Sequence, residues 1–284
     1  MRALDGWHIV NLAINLPGPW AAARLQQLGA RVTKVEPPDG DPLARICPPW
    51  YAHLSAEQRV LRLDLKAPPE RERLAALLDE ADLLLTAMRP RALARLGLDW
   101  AGLQRRYPRL CQVAIVGAAG AQAERPGHDL TYQAQAGLLT PPALPRALLA
   151  DLAGAERAVS AALALLLVRA RGGPAGYAEV ALADTARELA APWRYGLTQP
   201  DGPLGGGWPG YGLYPARVGW VALAALEPRF WQRLTALLGL SAPTHADLAR
   251  IFATRDAAAW ARERDLPLVA VEEGTRPAGE GAAS

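Results

Sequence analysis

Short apolar runs alternate with amphipathic stretches over the first two thirds of the chain. Residues 7–12, 32–35, 60–65, 82–86 and 110–116 have the length and the flanking breakers of strands. Helical spacing separates them: 20–28 after the breaker Pro17-Gly18-Pro19, 70–79 with Leu74, Leu77 and Leu78 on one side, and 92–98. Residues 36–42 read as a loop. Beyond them, 157–170 and 183–193 read as helices around a strand at 177–182. Strands that alternate with helices pair in parallel through right-handed crossovers. The pattern therefore predicts an α/β fold with a doubly wound, Rossmann-like parallel sheet.

The stretch 198–211, TQPDGPLGGGWPGY, is too rich in glycine and proline to continue either element. It predicts a large domain over 1–195, a linker over 196–204 and a smaller α+β domain over 205–284. The small domain would hold a strand pair at 213–215 and 220–225 and helices at 228–238 and 256–264. The tail, 272–284, is polar and small-residue and is expected to be disordered.

Composition narrows the function. Hydrophobic residues make up 51% of the 284, ample for a packed core. The 31 basic residues are interleaved with 28 acidic ones, so no stripe marks a nucleic-acid surface. The amino terminus lacks a charged segment followed by a sustained apolar one, and the longest apolar run, 158–168, is too short to span a bilayer. A cytoplasmic protein without membrane partners is expected. Cys47 and Cys111 lie far apart, without metal-ligand spacing, so neither a disulfide framework nor a metal site is expected. No spaced-glycine fingerprint follows the first strand, so a nicotinamide cofactor is not indicated.

Candidate chemistry concentrates in 125–155, RPGHDLTYQAQAGLLTPPALPRALLADLAGA. His128 follows the turn-like Pro126-Gly127, and Asp151 sits in an apolar run where a carboxylate must be paired or have its pKa moved. The ordinary readings are a surface histidine and a helix N-cap aspartate. The other reading is a pair of groups that exchange protons near neutrality.

Several motifs, in order, carry a family resemblance: NLPGPWAAARLQQLGARVTKVEPPDGDPLAR, RLDLK, MRPRALARLGL, RPGHDLTYQAQAGLL and LLADLAGA. Together they resemble the class III coenzyme A transferase family (CaiB/BaiF-like), which also contains the alpha-methylacyl-CoA racemases. The resemblance runs from about residue 4 to about residue 273 and is closest to the racemase branch. It implies that His128 and Asp151 are the two proton-transfer groups and that Glu227 hydrogen-bonds the histidine. The activity implied is epimerisation of 2-methylacyl-CoA. In the transferases the matching aspartate instead forms a mixed anhydride with the acyl group. Coenzyme A, as part of the substrate and with no tightly bound cofactor, would meet Leu63, Asp64, Leu65, Lys66, Ala87, Met88, Arg89, Arg95, Gly127, Asp129 and Tyr132. Lys66, Arg89 and Arg95 would neutralise its phosphates. A homodimer of interlocked chains is also implied.

The chain departs from the family in places. Ser55-Ala56-Glu57-Gln58 stands where a basic loop is common, Pro37 stands where racemases carry arginine, and the 117–121 and 128–151 connections are short. Family chains also continue beyond the point where this one stops. Coenzyme A transfer and a non-catalytic acyl-CoA-binding or partner subunit are therefore the alternative expectations, and interlocking of the dimer is left open.

Overall fold

The computed structural model describes residues 2–271, so the predicted disordered tail lies outside the described residues. The chain divides into two compact units, the first ending at Ala190 and the second beginning at Ala191.

In the first unit β1 (His8–Asn11), β2 (Arg31–Glu36), β3 (Arg59–Arg62), β4 (Leu83–Thr86), β5 (Cys111–Val116) and β6 (Tyr177–Ala181) form one sheet. Its order is β3-β2-β1-β4-β5-β6 and every pairing is parallel. The chain steps outward from β1 to β3 and then returns to the other side of β1 for β4. The β1/β4 seam is thus the switch point, where a crevice opens beyond the strands' C-terminal ends. The crossovers carry α1 (Pro17–Gln27), α2 (Leu43–Ile46), α3 (Pro48–Ser55), α4 (Pro68–Asp79), α5 (Pro90–Leu96), α6 (Trp100–Arg106), α7 (Asp129–Ala136) and α8 (Leu149–Ala170), and α9 (Leu182–Leu189) follows β6.

Successive strand residues feed opposite cores. Ile9, Leu83, Leu85, Val113 and Ile115 pack with Ala21, Ala22 and Leu25 of α1 and Ala155, Ala158 and Ala162 of α8. Val10, Val35 and Leu84 pack with Leu74 and Leu78 of α4, Leu93 of α5 and Leu103 of α6. With helices on both faces a central strand has no polar side, which is why Leu83-Leu84-Leu85 is a continuous apolar run.

Local departures from the predicted elements have physical reasons. Pro17-Gly18-Pro19 is the first turn of α1 rather than a break, because a proline at that position gives up only an N–H that the helix leaves unpaired. The exposed edge strand β3 stops at Arg62, so Leu63 to Lys66 lie beyond its end. The helix expected from 157 begins at Leu149, and Asp151 lies inside its first turn instead of capping it. Glu36, assigned to a loop, ends β2 and is buried.

That burial is matched by charge. Lys34, 1% exposed, places its Nζ 3.0 Å from Glu36 Oε1 and 2.6 Å from Asp41 Oδ2, and Tyr51 donates its hydroxyl to Glu36 Oε1 at 2.8 Å. Asp41 Oδ1 accepts the backbone N–H groups of Leu43 and Asn15, each at 2.9 Å. The network holds Asn15, just beyond β1, in a left-handed conformation with φ of 69°.

The second unit comprises α10 (Ala191–Arg194), β7 (Tyr211–Pro215), β8 (Trp220–Ala224), α11 (Pro228–Leu238), α12 (His245–Phe252), α13 (Ala257–Trp260) and β9 (Leu268–Val271). Its strands form an antiparallel sheet in the order β7-β8-β9 over a core that includes Tyr214, Val221, Leu223, Leu234, Phe252 and Trp260. Thr244 starts α12 by accepting the Asp247 N–H at 3.2 Å. Among the described residues no helix is long and apolar enough to cross a membrane.

Candidate active site

Two cavities open at the C-terminal ends of the strands in the first unit, and Ile14, Asn15, Ala87 and Arg89 line both. They therefore meet at the β1/β4 seam.

The wider one, a cleft of about 1020 Å³, is lined by segments that follow β1, β2, β3 and β4, together with α5. Leu63, Asp64, Leu65, Lys66, Ala87, Met88, Arg89 and Arg95 all fall on its wall. Lys66 follows a tight turn in which its backbone N–H donates to Asp64 Oδ1 at 3.0 Å. Arg71 of α4 joins the three expected cations, and Glu36, Pro37, Pro38 and Asp39 line the cleft as well. Sequence reading missed Arg71, although its place in the first turns of a helix directly after the RLDLK motif was a usable signal.

The smaller cavity, about 280 Å³, collects first-turn or capping residues of three helices: Pro17 of α1, His128 preceding α7 and Asp151 of α8. Helix N-termini carry partial positive charge and suit an oxygen that gains negative charge. Gly127, Tyr132, Arg125 and Gly117 complete the wall. Gly127 is dictated by Tyr132: a Cβ there would stand 2.6 Å from the tyrosine ring. His128 is exposed, and its backbone N–H donates to Thr131 Oγ1 at 3.1 Å, which fixes the entry into α7.

Among the described residues Asp151 is the only acidic side chain on this wall. Among the described residues its carboxylate accepts no hydrogen bond. Burial, with the nearby charge of Asp129 second, pushes its pKa from 3.8 up to about 7. The positive end of α8 acts the other way, but at about 0.3–1 kcal/mol it is outweighed by the roughly 4 kcal/mol such a rise represents. Burial also raises the Tyr132 hydroxyl, with the Asp151 charge adding to the effect.

Two of the predicted residues are not among those that line the two cavities of the first unit. Asp129, expected against coenzyme A, is 4% exposed and turned inward, its oxygens accepting from Ala150 N at 2.8 Å, Asp151 N at 3.1 Å and Gln133 Nε2 at 2.5 Å. Glu227 belongs to the second unit, where it is exposed and its carbonyl accepts the first-turn N–H groups of α11 from Phe230 and Trp231. Among the described residues no cluster of three or more His, Cys, Asp or Glu could hold a metal ion.

The parallel sheet of this order thus places a cleft with four cationic side chains beside a half-buried carboxylate. The chain belongs to CoA-transferase family III, whose model matches residues 4–269. It is 30% identical over 272 residues to a probable fatty acyl-CoA transferase of Mycobacterium tuberculosis, covering 84% of this chain and 69% of the relative. It is 31% identical over 258 residues to the alpha-methylacyl-CoA racemase of Homo sapiens, covering 84% of this chain and 65% of the racemase. The chain thus spans about two thirds of the length of these relatives. The crystal structure of Rv3272 from Mycobacterium tuberculosis superposes with a TM-score of 0.83 at 28% identity, covering 96% of this chain and 85% of that one. Members of the family therefore include both coenzyme A transferases and a racemase.

Proposed function

We propose that this chain is an acyl-CoA enzyme that moves a proton at the carbon next to the thioester carbonyl and so interconverts epimers of a 2-methylacyl-CoA. The observation that carries the reading is the Asp151 carboxyl, held at about 7 without hydrogen-bond donors, in one small cavity with His128. A carboxyl at that pKa is divided between acid and base at neutral pH, as general acid–base catalysis requires. One group removes the α-proton, and the C–H electron pair passes to the carbonyl oxygen as an enolate. The other group then delivers a proton to the opposite face. After one turnover the proton sits on the partner that began without it, and exchange with water resets the pair. Lys66, Arg71, Arg89 and Arg95 would hold the phosphates of the coenzyme in the wide cleft. Glu227 enters this reading by resemblance, as does assembly into a homodimer, which light scattering at micromolar concentration would test.

The test is incubation with a chiral 2-methylacyl-CoA in deuterated water. Deuterium should enter the α-position without any acceptor acid. Thioester binding without α-deuteration would defeat the reading.

A second reading, coenzyme A transfer, is favoured by the same unpaired Asp151 oxygens, which are free to attack. The carboxylate would add to the thioester carbonyl and the C–S bond would break, giving an acyl-aspartyl anhydride and the coenzyme thiolate; the thiolate would then attack the aspartyl carbonyl, releasing the donor acid and leaving an aspartyl thioester from which an acceptor acid takes the coenzyme by the same steps in reverse. That reaction depends on an added carboxylic acid, whereas α-exchange does not. Binding with neither reaction would point to a non-catalytic subunit.

A further inference from the structure

The connection between the two proposed proton carriers is made by a residue that touches neither ligand cavity. Asp129 follows His128 directly and is the first residue of α7. Its side chain crosses to a different helix, where Oδ1 accepts the N–H of Ala150 at 2.8 Å and of Asp151 at 3.1 Å. Those are first-turn amides of α8, which Leu148, its own N-cap, leaves without a side-chain acceptor. The opposite oxygen, Oδ2, is fixed by Gln133 Nε2 one turn along α7, and the same nitrogen donates to Ala147 O at 3.1 Å. The buried carboxylate is thus tied to the backbone of one proton carrier by the chain and to the backbone of the other by a charged hydrogen bond.

We propose that Asp129 is a positioning residue that sets the separation of His128 and Asp151 and places a negative charge beside the first turn of α8. The proposal rests on the proton-transfer reading given above and replaces the coenzyme contact expected of Asp129. Two functions follow from one side chain. Its hydrogen bonds to α8 fix where the Asp151 backbone lies, and its charge adds to burial, the larger cause, in opposing ionisation of the Asp151 carboxyl. The other charged or titratable groups that line the cavity with Asp151 are His128, Arg125, Arg89 and Tyr132.

The two functions separate in two substitutions of the full chain. Asp129→Asn keeps an oxygen able to cap α8 but removes the charge, whereas Asp129→Ala removes both. The probe is the carbon-13 carboxyl resonance of Asp151, assigned by its loss in Asp151→Asn, followed through a pH titration alongside α-deuteration of a 2-methylacyl-CoA. In wild type the resonance should titrate near 7. In Asp129→Asn it should move to lower pH by at least about half a unit, and the pH profile of kcat should move with it. In Asp129→Ala kcat should fall on the order of 10²-fold with KM for the thioester little changed, as expected for misplacement of a reacting group, and Asn should recover part of the loss. Calorimetry with coenzyme A should give similar affinity for wild type and Asp129→Asn. An Asp151 titration that does not move in Asp129→Asn would overturn the proposal. So would equal losses in both variants spread over kcat and KM, the outcome of a merely structural role. If wild type shows no α-exchange, the racemase reading fails while the titration still decides the role of Asp129. If Asp129→Ala does not fold, the Asn variant decides alone.

Discussion

The wide cleft carries its cations on long side chains that reach solvent, whereas the small cavity carries its carboxylate half-buried and without a donor. Exposed cations attract a polyanion at little cost to the folded chain, because water already solvates them. A carboxylate taken out of water without a partner costs the fold something at every pH where it is charged. On the proposed reading, binding is spread over several replaceable residues and chemistry is concentrated on two that are not.

That contrast can be broken most strongly by removing a proton carrier. His128→Ala and Asp151→Asn should each lower α-deuteration by about 10²–10⁴-fold while leaving the affinity for coenzyme A nearly unchanged. Wild-type exchange in either variant would end the proton-transfer assignment, and loss of exchange with retained acceptor-dependent transfer in His128→Ala would favour the second reading.

The next effect is on stability, and its sign follows from the raised pKa of Asp151. The folded state holds that proton more tightly than the unfolded chain. Its stabilising contribution is fully present below about 4 and is lost as pH rises through about 7. The neutral variant Asp151→Asn should then be more stable than wild type at pH 8, by up to roughly 4 kcal/mol, and indistinguishable from it near pH 4. Urea midpoints at the two pH values would show this. Equal midpoints at pH 8 would mean that the carboxyl is not raised.

A smaller effect is expected in the cleft. Arg89→Ala should weaken coenzyme A binding about tenfold or more, corresponding to one charge-assisted contact of about 1.5–3 kcal/mol, without altering the urea midpoint. Unchanged affinity by calorimetry would remove Arg89 from the phosphate site. Lys66→Ala should do less, since a lysine meets phosphate as a point charge rather than as a planar fork.

Much of the sheet was legible because doubly wound strands are apolar on both faces, and short runs such as Leu83-Leu84-Leu85 stand out against the helices between them. The residues that line the cleft were named from the family resemblance, whose contiguous motifs, such as Leu63 to Lys66, follow strand ends. Helix α7 was not legible, since DLTYQAQA has few apolar positions and buries Tyr132, Gln133 and Asp129 instead. Helices α3, α6 and α12 were missed as well, each being short. The inward turn of Asp129 could not be read because the amides it meets lie 21 and 22 residues further along. Glu36 looked like part of a loop because its partners, Lys34 and Tyr51, are brought to it only by the folded chain.

The bond from Asp129 to the start of α8 also bears on how the chain tolerates insertion and deletion. Residues 137–148 link α7 to α8 and are exposed or half-exposed, yet both ends of this link are held together from inside the protein. Its length is thereby uncoupled from the spacing of the residues it joins. Doubling such a loop costs only about 0.6 kcal/mol in closure entropy. The short connection between His128 and Asp151 in this chain is then compatible with the same arrangement of side chains as a longer one, and this loop is the place where residues can be added or grafted to reshape the surroundings of the cavity without displacing its chemistry.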